Sequence, residues 1–243
     1  MKCVLLCAGY ATRLYPLTLN TPKPLLEVGN KPIIEHIIRK LEEINELKEV
    51  IIVTNNKFFW HFRKWLEKFK SKKKIKILND KTSSNDDRLG AIGDINFAVN
   101  KEKIKNSLLI IAGDNLFELS LADLVDMFNK KKEPVIAIYD VKDKDIAKKY
   151  GIVAIDKNKK IIHFEEKPEN PRSTLASTGI YLYAKENLKD IKRYLKEGNN
   201  ADKPGSFLEW LYKRKDIYCL ISKKRWYDIG SFEQLDEARK NYR

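Results

Sequence analysis

Only 10 glycines, 3 cysteines, 3 histidines and 2 methionines occur among 243 residues, and each scarcity removes a class of function. A short apolar run, Cys3 to Leu6, leads into Cys7-Ala8-Gly9-Tyr10-Ala11-Thr12-Arg13, with one Gly where the dinucleotide fingerprint needs three. No Gly-Lys-Ser/Thr follows, so neither common phosphate loop is present. Cys3, Cys7 and Cys219 are odd in number and sit in apolar surroundings. They read as reduced core thiols, and the cytoplasm is the expected compartment. Cys3 and Cys7 share one strand face, but without a neighbouring His or Cys a zinc site is not expected. His36, His61 and His163 have no visible catalytic partner and read as structural. No apolar run reaches the length of a membrane span, and the opening MKCVLLCAGYATR is too short and loop-like for a signal peptide. No membrane partner is expected.

What is abundant is charge. Charged residues make up 34% of the chain and apolar residues 43%, with a formal net charge of +14. Much of the excess lies in the lysine runs 70–76 and 130–132, which flank predicted strands or helix ends, where Lys solvates an edge or complements a helix C-terminus. No basic stripe interleaved with aromatics is present, so small polyanions rather than nucleic acid are the expected partners.

The first half alternates strand and helix. Strand Cys3–Leu6 precedes a long connection and a helix near Ile33–Ile44 with apolar residues at 33, 34, 37, 38, 41 and 44. Strand Val50–Thr54, an aromatic helix near Phe58–Phe69, strand Ile75–Leu78, helix Ala91–Val99, strand Leu108–Ala112, helix Leu121–Asn129 and strand Pro134–Tyr139 follow. Such alternation predicts a mostly parallel, doubly wound sheet covered on both faces. After about residue 145, closely spaced β-type runs at Ile152–Ile155, Ile161–Phe164 and Gly179–Tyr183 predict an antiparallel, β-rich part. Helices near Leu188–Leu195 and Phe207–Tyr212 and strand Ile217–Ile221 return the chain toward the first sheet. Ser231 and Gln234 predict a capping box on a final helix. The aromatic helix carries more apolar surface than one face buries, which leaves deep packing or a homo-oligomer contact open.

The connection after the first strand exceeds twenty residues, unusual for a compact domain unless the loop is functional. It carries Arg13 and, between two stiffening prolines, Lys23. Loops at the carboxyl ends of parallel strands form the crevice where open α/β sheets bind ligands. Asp114 ends an apolar strand, and Asp228 precedes the last helix. Taken singly, Asp114 reads as well as a turn former, and Asp228 as a dipole partner, as either does as a functional group. Together with Arg13 and Lys23 in one crevice they would suit a magnesium–triphosphate group, because Mg²⁺ favours one or two carboxylates plus phosphate oxygens. Phe164-Glu165-Glu166-Lys167-Pro168 reads either as a charged turn or as hydrogen-bonding groups for a sugar phosphate.

These elements resemble the sugar-1-phosphate nucleotidyltransferase family over essentially the whole chain. The family pattern L-x-[AG]-G-x-[GA]-T-R-L-x-P-L-T, then P-K-P-L-L-x-V, is met by Leu6 through Val28. Gly113–Asn115, Glu165–Pro168 and Trp226–Gly230 match G-D-N, E-E-K-P and W-x-D-x-G in the same order. The resemblance implies a Rossmann-like three-layer αβα core with a mixed, mostly parallel sheet and a small β-rich sugar-binding insertion. It implies one domain over 1–243, with 1–145 mainly nucleotide-binding, 146–225 sugar-binding, and 226–243 carrying a metal Asp and the final helix. The C-terminal β-helix of longer relatives is not expected. Arg13 and Lys23 would be catalytic, Arg13 on the leaving pyrophosphate and Lys23 on the reacting phosphates. Leu6, Ala8, Gly9, Thr12, Arg13, Ser83, Leu89 and Gly90 would bind the nucleotide. Gly151, Glu166, Lys167, Thr178, Gly179 and Trp226 would bind the sugar phosphate, and Asp114 and Asp228 would hold Mg²⁺. The implied substrates are a nucleoside triphosphate and a sugar-1-phosphate. Another phosphorylated alcohol, such as phosphocholine or inositol phosphate, and a non-catalytic sensor remain alternatives. Thymidylyltransferases of this family have a second Gly and a Ser where this loop has Ala8 and Tyr10. Ser83 and Arg88 stand where base-reading residues are found, so the base preference does not carry over.

Overall fold

The computed structural model describes residues 1–242. Strand β1 (Lys2–Leu6) opens into a connection holding 3-10 turns at Thr12–Leu14 and Lys23–Leu25, then the short pair β2 (Glu27–Val28) and β3 (Lys31–Pro32). Helix α1 (Ile33–Glu42), β4 (Glu49–Thr54), α2 (Phe59–Lys68), β5 (Lys74–Asn79), α3 (Ala91–Lys101) and β6 (Leu108–Ala112) complete the alternating half. Next come β7 (Asn115–Phe117), α4 (Leu121–Lys131), β8 (Val135–Asp140) and α5 (Lys144–Ala147). The rest is β9 (Gly151–Ile155), β10 (Ile161–Glu166), β11 (Leu175–Tyr183), α6 (Leu188–Lys196), α7 (Pro204–Tyr212), β12 (Tyr218–Ser222), β13 (Trp226–Asp228) and α8 (Phe232–Asn241). No described helix is long and apolar enough to cross a membrane.

The order β6-β1-β4-β5 is parallel throughout, and strand alternation divides the core between two faces. Cys3, Leu5, Val50, Ile52, Leu109 and Ile111 meet α1, α2, α4 and α8 on one side. Val4, Ile51, Val53, Leu108 and Ile110 meet α3, α6 and α7 on the other. The stripe Ile33, Ile34, Ile37, Ile38 and Leu41 is wholly buried, and each such side chain stabilises by roughly 1.5–3 kcal/mol. The three-layer arrangement expected from the alternation is present.

Two local expectations are refined. The late β-type runs belong to the same nine-stranded sheet, because β11 pairs antiparallel with β6, β8 and β9. Gly179, at φ +74°, lies in the register shift between Ser177 and Tyr181 that lets β11 serve both branches. At the last helix, Ser231 Oγ accepts from Gln234 N, but Gln234 Oε1 accepts from Gly230 N rather than from the cap residue itself. The aromatic helix packs inward: Phe62 is fully buried, Trp65 stacks on Phe69 and donates to Glu35, and Trp60 is left 72% exposed.

Register brings the functional loops to one edge. Leu6 stands opposite both Val53 and Ala112, so β1, β4 and β6 end flush. Cys7 N then donates to Val53 O and Gly113 N to Leu6 O. A Cβ on Gly113 would lie 2.4 Å from Cys7 Sγ and 2.9 Å from Leu6 O, whereas one on Gly9 would meet nothing within 4 Å. Gly113→Ala should therefore destabilise by about 1–3 kcal/mol, the usual cost of overpacking, while Gly9→Ala leaves the urea midpoint nearly unchanged. Equal midpoints for the two variants would refute this close packing of β1 on β6.

Candidate functional site

Asp114 is the second residue beyond β6, and β7 continues from it. Strand β13 lies antiparallel to β7 with Asp228 opposite Asn115, and Ile229 N donates to Asp114 O at 3.2 Å. The two aspartates, 114 positions apart in the chain, thus line one cleft of about 310 Å³. Lys23 reaches them from the turn Pro22-Lys23-Pro24: its Nζ donates to Asp114 Oδ2 at 2.6 Å and to Ile229 O at 2.8 Å. Asn115 Nδ2 donates to Asp114 Oδ1 at 3.2 Å, and Trp226 Nε1 donates to Asn115 Oδ1 at 2.6 Å. Each oxygen of Asp114 is therefore held by its own donor.

The electrostatics follow from this crowding. Burial, and then the facing charge of Asp114, push the Asp228 carboxyl up to about 6, while Lys23, Lys167 and Arg13 oppose the rise. A cation between the two carboxylates would relieve their repulsion. The ammonium of Lys23 already neutralises one of them. Two oxygen-donor carboxylates facing a space wide enough for phosphates suit Mg²⁺, and Asp114 and Asp228 are the residues that would hold it. Among the described residues no group of three or more His, Cys, Asp or Glu is gathered that could replace them.

Gly151, Glu166, Lys167, Thr178, Gly179 and Trp226 all line the same cleft. Glu166 Oε2 packs where a Cβ on Gly205 would stand, 1.7 Å away, and 3.0 Å from one on Gly151. No protein donor satisfies this carboxylate among the hydrogen bonds of the described residues, and burial raises its pKa against the pull of Lys167 and Lys203. Glu165, its neighbour, turns away toward His163 and Arg172. Lys167 is exposed, at φ +52°, and its N–H donates to Tyr150 O. Thr178 is buried, with its hydroxyl donating to Ala137 O.

The residues expected at the nucleotide stand elsewhere. Leu6, Ala8, Gly9, Thr12, Arg13, Ser83, Leu89 and Gly90 do not line the cleft. Leu6 ends β1, and the others lie on two loops at the same sheet edge, after β1 and before α3. Asn55 Nδ2 donates to Ala8 O, and Tyr10 OH meets Thr82 Oγ1 at 3.5 Å, joining the loops. Arg13 is exposed on its 3-10 turn, close enough for its charge to bear on Asp228. The Leu89 side chain faces a separate groove with Gly93 and Phe97. Arg88 grips Asp202 through two nitrogens, and a Cβ on Gly90 would strike Ala201 O at 2.6 Å.

Sequence reasoning missed Asn115, Lys149, Tyr150, Ser177, Pro204 and Gly205 as cleft residues. The Asn of Gly113-Asp114-Asn115 was in view, but its tie to Trp226 depends on β7 pairing with β13. Nothing in Pro204-Gly205 signalled that a helix start would shelter Glu166.

The family described as "Nucleotidyl transferase" matches residues 2–243. A "Bifunctional protein GlmU" from Methanocaldococcus jannaschii is 30% identical over 242 residues, covering 99% of this chain and 54% of that protein. The chain thus spans about half the length of the curated relatives it matches. A solved Bacillus anthracis protein, described as a glucose-1-phosphate thymidylyltransferase in complex with sucrose, superposes with a TM-score of 0.84 at 26% identity. It covers 99% of this chain and 94% of its own. A UDP-glucose pyrophosphorylase complexed with UDP-glucose shares the fold at a TM-score of 0.80 and 22% identity, with 99% and 97% covered.

Because Asp228 is raised above its unfolded value, its contribution to stability is full below about 4 and is lost as pH climbs through about 6. Asp228→Asn should flatten that part of the stability profile. In Asp114→Asn, carboxyl NMR titration should find Asp228 lower than in the parent protein yet still above an ordinary aspartate, since burial is the larger cause. An unchanged titration would mean that the two carboxylates do not sense each other.

Proposed function

The chain belongs to the nucleotidyl transferase family, and on that basis we propose that it joins a nucleoside triphosphate to a sugar-1-phosphate, yielding a nucleotide sugar and pyrophosphate. The observation that carries this reading is the single cleft in which Asp114, Asp228, Glu166 and Lys167 face one another at the carboxyl edge of the parallel strands. The names of the similar proteins, which include a glucose-1-phosphate thymidylyltransferase, support the same class of substrates.

A sugar-1-phosphate oxygen is already an anion, so its attack on the α-phosphorus needs no general base. A new P–O bond forms as the bond to the bridging oxygen of pyrophosphate breaks, and pyrophosphate leaves with the electron pair. The obstacle is repulsion: two unit charges ~4 Å apart oppose each other by roughly 4 kcal/mol at an effective dielectric of ~20. Lys167 would hold the phosphate of the sugar, Lys23 the reacting phosphate and Arg13 the departing pair. Glu166, lacking a protein donor, would accept from sugar hydroxyls, with Gly151, Thr178, Gly179 and Trp226 shaping the pocket. Leu6, Ala8, Gly9, Thr12, Ser83, Leu89 and Gly90 would enclose the nucleotide. Mg²⁺ on Asp114 and Asp228 would add positive charge at the reacting phosphates when bound. The remaining contribution is in-line positioning. In this reading, residues 1–145 serve the nucleotide, 146–225 the sugar, and 226–243 supply the second carboxylate.

Pyrophosphate release should be measured with four triphosphates against a panel of sugar-1-phosphates, phosphocholine and inositol phosphate, with and without Mg²⁺. One triphosphate and a sugar-1-phosphate should turn over in a metal-dependent manner. Turnover with phosphocholine alone would refute the sugar assignment, and tight binding without turnover would mark a sensor. Asp114→Asn and Asp228→Asn should each lower kcat/KM by about 100-fold or more, while Lys167→Ala costs less and mainly raises KM for the sugar phosphate. Wild-type rates in both Asn variants would remove the metal assignment.

A further inference from the structure

One buried acidic pair is not used by the mechanism above. Asp80 follows β5 and is 7% exposed; Asp94 projects from the first turns of α3 and is 6% exposed. Asp80 Oδ1 accepts from Thr82 N at 2.7 Å and from Thr82 Oγ1 at 2.8 Å. Its other oxygen, Oδ2, and Asp94 Oδ1 are both buried and receive no hydrogen bond from any ordinary donor. Two carboxylates left so would be costly, since each buried unsatisfied polar group costs about 1–3 kcal/mol and buried charge more. A proton shared between the two would resolve the arrangement, because burial raises both carboxyls and Asp94, with the charge of Asp80 beside it, is the one raised further.

The groups facing the pair deepen this preference. Asp202, from the loop before α7, bears on Asp94, and Asp87 bears on Asp80. From the β1 side the Cys7 thiol faces Asp94, and burial holds that thiol in its neutral form. No cation is among the groups that shift Asp94, and Arg88 is committed to Asp202. Burial first, and then the charge of Asp80, push Asp94 up to about 8.

What the pair supports is the junction of two loops. Thr82, held twice by Asp80, places its hydroxyl under Tyr10 OH at 3.5 Å, and its carbonyl accepts from Asn56 N. Tyr10 belongs to the loop after β1; Thr82 begins the loop that runs to Gly90. We propose that Asp94 is a positioning residue for the nucleotide end of the reaction: as the acid that donates to Asp80, it fixes Thr82 beneath Tyr10 and sets the spacing of the two loops that receive the triphosphate. The proposal rests on the nucleotide reading of those loops. Loss of the shared proton would place two anions side by side and slacken Thr82, with the sugar cleft on the far side of β1 little affected.

The test compares the full chain with Asp94→Asn, which keeps a donor to Asp80 but cannot ionise, and Asp94→Ala, which keeps neither. For the parent protein, KM for the triphosphate should rise about fivefold between roughly pH 7 and 9, with kcat and KM for the sugar phosphate changing less than about twofold. Asp94→Asn should show a flat triphosphate KM over that range, and Asp94→Ala a KM raised about tenfold throughout. An Asn variant that follows the parent's pH profile, or an Ala variant that raises both KM values alike, overturns the proposal. If no substrate pair turns over, calorimetric Kd values for the four triphosphates replace KM under the same criteria, so failure of the enzymatic reading is distinguished from failure of this one. Without any ligand, the stability of the parent should decline as pH rises from about 4 to about 8, and that of Asp94→Asn should decline less, keeping the part below about pH 6 that Asp228 contributes and losing the part that continues to about 8. An identical decline in both would show that the pair shares no proton.

Discussion

The ammonium of Lys23 is the contact on which the site depends. It joins three remote parts of the chain, donating to Asp114 Oδ2 and to the carbonyl of Ile229 from a turn stiffened by two prolines. The bridge is largely shielded, with side-chain exposures of 16% and 27%, so water screens it less than a surface pair. Its importance lies in geometry more than in net stability, because desolvation offsets much of the attraction between such charges. With it in place, the long connection after β1 is drawn to the cleft, and one of two mutually repelling carboxylates is neutralised.

The sheet supplies the frame for that contact. Flush strand ends bring Cys7, Asn55 and Gly113 to a single edge, and close approach there demands a residue without a side chain at 113. The bend at Gly179 lets β11 pair with β6 in the centre and with β9 at the margin. That fork carries Gly151, Glu166 and Lys167 to the side of Asp114 and Asp228. Glu166 owes its position to two further glycines, since a Cβ at 151 or 205 would crowd its carboxylate. A polar group that the protein leaves without a donor, held beside Asp114 and Asp228, is poised for a ligand.

Two acidic pairs of opposite behaviour thus flank the carboxyl ends of the strands. Asp114 and Asp228 face open space with cations around them, so added positive charge is welcome there. Asp80 and Asp94 are enclosed, with further acids as neighbours, and among the ion pairs of the described residues neither has a cationic partner. Solvent access and neighbouring charge, not residue type, separate a pair suited to a metal cation from a pair suited to a shared proton.

Much was legible in the sequence because it is written locally. The buried stripe of α1, the apolar runs of β1, β4 and β6 and the start of α8 after Gly230 follow from periodicity and caps, which involve residues a few positions apart. The matches at Leu6–Val28, Gly113–Asn115, Glu165–Pro168 and Trp226–Gly230 carried the family, since close approach to phosphate restricts residue choice along short stretches. Sequence alone therefore determined the layered α/β core, the family and half of the cleft residues. It did not determine that Gly205 would make room for Glu166, that Arg88 would be spent on Asp202, or that Asp80 and Asp94 would meet. Those outcomes rest on contacts between segments tens to more than a hundred residues apart, and only strand register and helix placement in the folded chain decide them.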